Sequence, residues 1–384
     1  MDTQVYGTQV HRESPTMTDT AFRYCDHLGP KSIHHLYEPA TGLKAIVVVD
    51  NVAAGPAIGG CRMAPDVSLD ECFRLARAMT FKNAAAGLPH GGAKSVIVAD
   101  PEDETRKEDL VRAFAQLIGP IEDYIVGPDM GTNETAMGWI RDEIGRCVGL
   151  PTAVGGIPLD EIGATGFGLA IAAEVAAEHG GPALDGARVA MQGFGAVGKH
   201  AARFLGERGA ILVAAADING MIYDPEGLDL EELVAIKERG GSVVEYTKAD
   251  VMDRDTIVAV DCDIWVPAAR PDAIREDNEH LVKAKLIVQG ANIGVTEAAE
   301  RMLHDRGVIC VPDFISNAGG VICGSVEYHG GTESQAFRVI EDKIRANTDE
   351  VLRRAEKKNC LPREAAIEMA EERVVSAMQL GRWK

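Results

Sequence analysis

The sequence has no Cys-x-x-Cys pair, no apolar run long enough to cross a bilayer, and few aromatic residues, 5% of 384. Each shortage removes a class of protein. The eight cysteines, from Cys25 to Cys360, are scattered, and none joins a histidine at zinc-ligand spacing, so no metal site is expected. Free thiols of that kind fit a reducing compartment. With no membrane-length segment and no apolar signal-peptide core at the N-terminus, the expected location is the cytoplasm. Positive charge is also short: 39 Lys and Arg stand against 59 Asp and Glu, a formal net charge of −20. A surface of that sign repels phosphate backbones and anionic membranes, so neither nucleic acid nor membrane is an expected partner. An anionic ligand needs a locally positive site here, which gives weight to any lysine in an apolar setting.

Two such lysines are present. The stretch Thr80 to Val98, TFKNAAAGLPHGGAKSVIV, places Lys82 and Lys94 twelve residues apart among Ala, Gly and apolar residues. A buried amine is costly without a partner or a task, and desolvation or a second cation lowers its pKa toward neutrality. The competing reading is that both lysines snorkel to solvent from a buried turn. Gly87, Gly91 and Gly92 weigh against it, since they carry no side chain that would cover a ligand.

In chain order, residues 1–20 read as a polar, flexible tail. LKAIVVVD, 43–50, is an expected strand. GPAIGGCRMAP, 55–65, carries too many glycines for a helix or a regular strand. Residues 69–80 form an amphipathic helix that delivers Lys82 at or just past its end. A strand over 95–99, a helix over 108–116 and a strand-like 123–127 follow. PTAVGGIPLDEIG, 151–163, is the expected hinge between two domains. Beyond it strands and helices alternate from Ala187, and the chain closes with helices over about 333–358 and 362–380, which the order of elements returns toward the first domain.

GFGAVG, residues 193–198, is a GxGxxG that follows a strand and opens a helix, and Asp217 ends the next strand 19 residues after Gly198. That context is the dinucleotide-binding one. Gly193 permits the turn, Gly195 lets backbone reach the pyrophosphate, and Gly198 allows helix and strand to pack. Phe194, Ala196 and Val197 complete the loop, and the helix N-terminus offers N–H groups to phosphate. Asp217 is expected to bind the ribose 2′-hydroxyl and repel a 2′-phosphate, favouring NAD over NADP. The bland alternative is a glycine turn with Asp217 as a helix cap.

From about Leu28 to its end the chain resembles the glutamate/leucine/phenylalanine/valine dehydrogenases. The carriers are GPAIGGCRMAP, TFKNAAAGLPHGGAKSVI, GPDMGTN, GATGFG, QGFGAVG, GAN and NAGGV, in that order. The resemblance implies a two-domain α/β fold. Residues 21–155 would be the substrate-binding and oligomerisation domain, 156–331 the Rossmann-type NAD-binding domain, and 332–384 helices packing back on the first. It implies an NAD-dependent enzyme that converts an L-amino acid to its 2-oxo acid and ammonia, working as a homo-oligomer. It implies Lys94 as the catalytic lysine, Asp129 as the acid of a proton relay, and Lys82 as the cation for the substrate carboxylate, with Gly59 and Gly60 beside it. Thr165, Asn292 and Asn317 would lie near the nicotinamide.

Two positions bear on the substrate. Where glutamate dehydrogenases usually carry a lysine before the Gly-Gly pair, this chain has Ile58; where a serine usually follows the Asn-Ala-Gly-Gly motif, it has Gly324. Both partners for a side-chain carboxylate are missing, so an apolar, branched-chain substrate such as leucine or valine is expected. A glutamate dehydrogenase and a phenylalanine-type enzyme are the alternatives, Gly324 leaving volume for a larger side chain; a non-catalytic ligand-sensing subunit is disfavoured because Lys82, Lys94 and Asp129 are all present.

Overall fold

The computed structural model describes residues 22–381, so the expected tail over 1–20 lies outside the described residues. Two sheets organise the chain. The first contains β1 (Ser32–Glu38), β2 (Leu43–Asn51), β3 (Ala57–Ala64), β4 (Gly92–Val98) and β5 (Tyr124–Pro128) in the order β1-β2-β4-β3-β5. β4, β3 and β5 run parallel; β1 and β2 are antiparallel additions. Helix α1 (Leu69–Ala85) covers one face, and α2 (Glu104–Ile118) with α3 (Glu134–Ile144) closes the other.

The glycine-rich stretch is therefore a strand after all. β3 lies between β4 and β5, and its glycines are what let the neighbouring backbones close in. A Cβ on Gly59 would sit 1.7 Å from the Ala93 carbonyl oxygen. Strand β1 carries alternating polar residues that gave no strand signal, and it is held at the edge by full pairing to β2. Helix α1 also runs further than its apolar stripe: Ser68 caps its start, Ala84 and Ala85 extend it, and Gly87 at φ +60° ends it. Lys82 thus sits in the last turn of a helix, and Lys94 sits in a strand, not in a turn.

After Ala164 the second sheet takes over. Helix α4 (Ala164–Glu178) precedes β6 (Arg188–Gln192), α5 (Ala196–Gly206), β7 (Ile211–Asp217), β8 (Gly220–Tyr223), α6 (Leu230–Glu238), β9 (Asp250–Met252), β10 (Ile264–Pro267), β11 (Leu286–Val288), α7 (Glu297–Asp305) and β12 (Ile309–Val311). The strand order is β12-β11-β10-β6-β7-β8-β9, parallel from β12 to β7 and antiparallel thereafter. The last two strands escaped the sequence reading because they are short and one is exposed throughout. Helix α4 is Ala-rich and apolar on nearly all sides and is buried on nearly all of them, as a helix wedged between a sheet and other helices must be.

Helices α8 (Gly319–Tyr328), α9 (Glu333–Lys358) and α10 (Pro362–Leu380) end the described chain. Helix α9 packs along α4, and α10 packs along α1. Arg373 of α10 donates to the Ala85 carbonyl at 2.7 Å, and Lys343 of α9 donates to the Gly87 carbonyl at 2.8 Å. The closing helices so cap the end of the helix that carries Lys82. Arg363, at the start of α10, bonds Glu300 and Asp313 on the second-sheet side.

Candidate active site

Strand β5 ends at Pro128, level with Cys61 of β3 and Ser95 in the middle of β4, and the charged groups collect there. Lys94 points from β4 to Asp129, which follows β5, and the ammonium and carboxylate are directly ion-paired. Both are largely shielded: the Lys94 side chain is 5% exposed and that of Asp129 16%. Asp129 also accepts from Arg62 Nε at 3.2 Å and from the Met130 N–H at 2.6 Å. Burial alone would raise the Asp129 carboxyl, but Lys94 first, then Arg62 and Met130, outweigh it and hold it below the usual carboxylate range. The acid is thus a stable anion at rest, and it is the group positioned to take a proton from Lys94.

Arg62 was not singled out from the sequence, although its position carries a signal. Ile58, Gly60 and Arg62 alternate along β3 and so share one face of the strand. Gly60 lies under Asp129: an added Cβ would fall 2.8 Å from Asp129 Oδ2 and 2.9 Å from the Pro128 carbonyl oxygen. Gly60→Ala should therefore displace Asp129 from Lys94. The expected result is a fall in turnover of about 10²-fold with dinucleotide binding retained; full turnover in the steady-state assay would remove Gly60 from the site.

Lys82 faces the same space from α1. Its charged neighbours are Asp313, Lys94 and Asp129. Desolvation is the main influence and, with Lys94 adding to it against the two acids, lowers its pKa to about 8. No ion pair to it forms among the described residues, which leaves its ammonium available to a ligand carboxylate. Lys94 is thus the ion-paired lysine and Lys82 the one that desolvation pushes toward neutrality.

Ile58 is buried with Ile125 and Val148 in a small apolar cluster. Gly324, on α8, faces Val148, whose Cγ2 would stand 3.4 Å from an added Cβ. Val148 thus borders the space that Gly324 leaves, at ordinary contact distance. Nothing in the sequence marked it, since it lies in an irregular segment. One turn after Gly324, the Glu327 carboxylate accepts the N–H groups of Gly149 and Ile157 at 2.8 and 2.6 Å, fixing α8 to the segment before α4. Beside Asp129 a cavity of about 440 Å³ is lined by Glu134, Asp160 and Glu161 and by no lysine or arginine. Burial raises the Glu134 carboxyl, and Glu161, Asp160 and Glu327 raise it further.

The residues expected near a cofactor form a second, continuous group. Gly193 takes φ +100°, a Cβ on Gly198 would lie 1.9 Å from the Gly193 carbonyl oxygen, and Gly195 has open space around it. Those are the three demands of a phosphate-binding turn, here feeding the N-terminus of α5 at Ala196. Phe194 contributes backbone to the loop while its ring is core, 1% exposed, where burial of such a ring is worth about 2 to 3 kcal/mol. Val197 approaches Gly290, and Asn317 Nδ2 donates to the Gly290 carbonyl at 3.2 Å and to Asn292 Oδ1 at 3.0 Å. Thr165, in the first turn of α4, lies against Gly320. Asn317 Oδ1 and Gln192 Oε1 are buried with no hydrogen-bond partner among the described residues. Orphaned acceptors are rare in a finished interior, and these two fit a group that donates from outside the chain. From Gln192 and the loop a cavity of about 630 Å³ runs outward past Asp217. The residues present so fit a nicotinamide dinucleotide.

Fold, glycine turn and lysine pair together define a pyridine-nucleotide-dependent oxidoreductase with its charged site between two α/β layers. Residues 155–381 match the Glutamate/Leucine/Phenylalanine/Valine dehydrogenase family, and residues 32–146 match the Glu/Leu/Phe/Val dehydrogenase dimerisation domain. The chain belongs to this family, and is an NAD(P)-dependent amino-acid dehydrogenase acting on CH–NH2. A glutamate dehydrogenase of Aeropyrum pernix is 38% identical over 359 residues, 87% of this chain and 85% of that one. The hetero-hexameric glutamate dehydrogenase of Thermus thermophilus, in its Leu-bound form, superposes with a TM-score of 0.83 at 29% identity, covering 98% of this chain and 100% of the other. The L-tryptophan dehydrogenase of Nostoc punctiforme gives a TM-score of 0.73 at 26% identity, covering 94% and 100%. No helix among the described residues is long and apolar enough to cross a membrane.

Proposed function

We propose that the protein oxidatively deaminates an L-amino acid with an apolar side chain, reversibly, to the 2-oxo acid and ammonia. The carrying observation is the convergence of Lys82 from α1, Lys94 from β4 and Asp129 just after β5. Lys82 receives the substrate carboxylate. With the substrate's amino group neutral, a dinucleotide held by the glycine turn would supply the hydride acceptor for Cα, leaving the iminium. Lys94 passes a proton to Asp129, and its neutral amine then takes a proton from water as that water adds to the iminium carbon. Collapse of the adduct releases ammonia and the 2-oxo acid. A neutral Lys94 suits this step because the iminium is cationic. Gly59 and Gly60 let backbone approach the carboxylate, and Thr165, Asn292 and Asn317 hold the nicotinamide end. In this reading residues 21–155 bind substrate and build a cytoplasmic homo-oligomer, 156–331 bind the dinucleotide, and the helices after 332 join the two.

The apolar specificity rests on the Ile58, Val148 and Gly324 surface, which offers a γ-carboxylate neither a cation nor a hydrogen-bond donor from its side chains. Val148 over Gly324 also favours an aliphatic side chain over an aromatic one. Glutamate is the second reading, favoured by the activity named for the Aeropyrum and Thermus proteins. The test is NADH or NADPH formation with a panel of L-amino acids at alkaline pH. Leucine or valine should exceed glutamate in kcat/KM by about 100-fold or more. Glutamate as the best substrate would overturn the apolar reading and leave the deamination chemistry intact.

A further inference from the structure

Asp217 ends β7 at the rim of the large cavity, where its carboxylate was expected to read the ribose. It is already fully engaged. Oδ1 accepts from Ser242 Oγ at 2.9 Å and from the Asn219 N–H at 3.0 Å; Oδ2 accepts from Lys237 Nζ at 2.9 Å and from the Val243 N–H at 2.9 Å. A carboxylate offers about four acceptor sites, and four donors of the protein fill them. The Asp217 side chain is 10% exposed, and its charge is matched by the Lys237 ammonium in direct contact. Asp217 so fastens the segment from Lys237 to Val243 to the end of β7.

What the cavity presents to a ribose is then set by the other charges on its wall. They are Lys237, Arg254 and Arg270 against a single further acid, Asp255. Asp255 pairs with Arg270 at 3.0 Å and with Arg254 at 3.5 Å. The nearest additional acid, Glu245, accepts from the Ser242 N–H and pairs with Arg239. Counting Asp217, three cations meet two anions on the wall, and Lys237 spends one of its three donors on Asp217. Gly240 and its neighbour Gly241 line the same wall, and Gly240 has nothing within 4 Å of an added Cβ, so the approach is open.

We infer that this cavity accepts a 2′-phosphorylated adenosine, with Lys237 and Arg270 as the phosphate partners, so that NADP(H) binds more tightly than NAD(H). The inference rests on the dinucleotide reading above. It reverses the simplest meaning of an acid at the end of β7: the acid is a structural anchor whose charge is matched by Lys237, and the discriminating groups are the cations that line the cavity beside it. A phosphate dianion beside two guanidinium and ammonium groups forms charge-assisted bonds that a hydroxyl cannot match.

Titration calorimetry of the intact protein with 2′,5′-ADP and with 5′-AMP tests it without any turnover. The expected result is 2′,5′-ADP binding at least tenfold more tightly, with the advantage shrinking as salt rises. Lys237→Gln with Arg270→Gln should erase the advantage while 5′-AMP binds as before. Tighter binding of 5′-AMP by the parent, or an advantage untouched by the double substitution, overturns the inference and leaves the dinucleotide reading standing. Binding of neither nucleotide overturns both.

Discussion

Replacing Lys94 with alanine should lower turnover by about 10³-fold or more while the dinucleotide still binds, because the lysine acts on protons and not on the cofactor. The loss should fall on kcat. Lys94 is buried and paired, so its removal also strands Asp129, which keeps only Arg62 and the Met130 N–H. Breaking a buried pair from one side costs about 3–5 kcal/mol. A double variant, Lys94→Met with Asp129→Asn, removes both charges and should recover much of that stability without recovering turnover. Single-turnover kinetics and calorimetry read the two effects separately. Near-normal turnover of Lys94→Ala would end the assignment.

Lys82→Met is expected to move activity and stability in opposite directions. Lys82 has no ion-pair partner among the described residues, and desolvation lowers its pKa from an ordinary 10.5 to about 8. Its charged form is therefore disfavoured by folding. Between about pH 8 and 10.5 the unfolded chain binds more protons at this position than the folded one, so stability rises with pH across that window. Below about 8 the penalty is fully present. Removing the amine should raise the unfolding midpoint there, by the equivalent of about 1 to 2 kcal/mol after allowance for partial exposure. The gain should fade toward pH 10.5. Activity goes the other way: KM for the amino acid should rise by about 10²-fold, the loss of a charge-assisted carboxylate contact. In the parent, kcat/KM should fall on the alkaline side as Lys82 loses its proton, with no matching limb in kcat. A variant no more stable than the parent at neutral pH, with KM unchanged, would refute both halves.

The parts legible in the sequence were those in which one residue type answers one local demand. Gly193, Gly195 and Gly198 meet turn, approach and packing within six residues, and the structure puts each demand where the spacing places it. The two closing helices were legible because long apolar periodicities leave few alternatives. The strand at Ala57–Ala64 was not, because its glycines serve neighbours contributed from Ala93 and Asp129, 33 and 69 residues onward from Gly60. Asp217 shows the same limit at the site. Its position was right and its surroundings were not, since Lys237 and Ser242 reach it from a loop with no recognisable pattern. Arg62 and Val148 escaped notice for a related reason: their partners are set by tertiary contact, and only the strand alternation of Arg62 left a trace.

The contacts of Arg373 and Lys343 on the end of α1 have a consequence for dissecting the molecule. Every motif of the site is encoded before residue 325, and a chain stopped before Pro362 would keep both sheets and all the chemistry-bearing side chains. It would still leave the carbonyls of Ala84 and Ala85, two and three residues beyond Lys82, without the guanidinium that holds them. Helix α10 also buries Ala365, Ala366, Met369, Ala370 and Val374 in the main apolar core, so a chain without it loses packing as well as the hold on the end of α1.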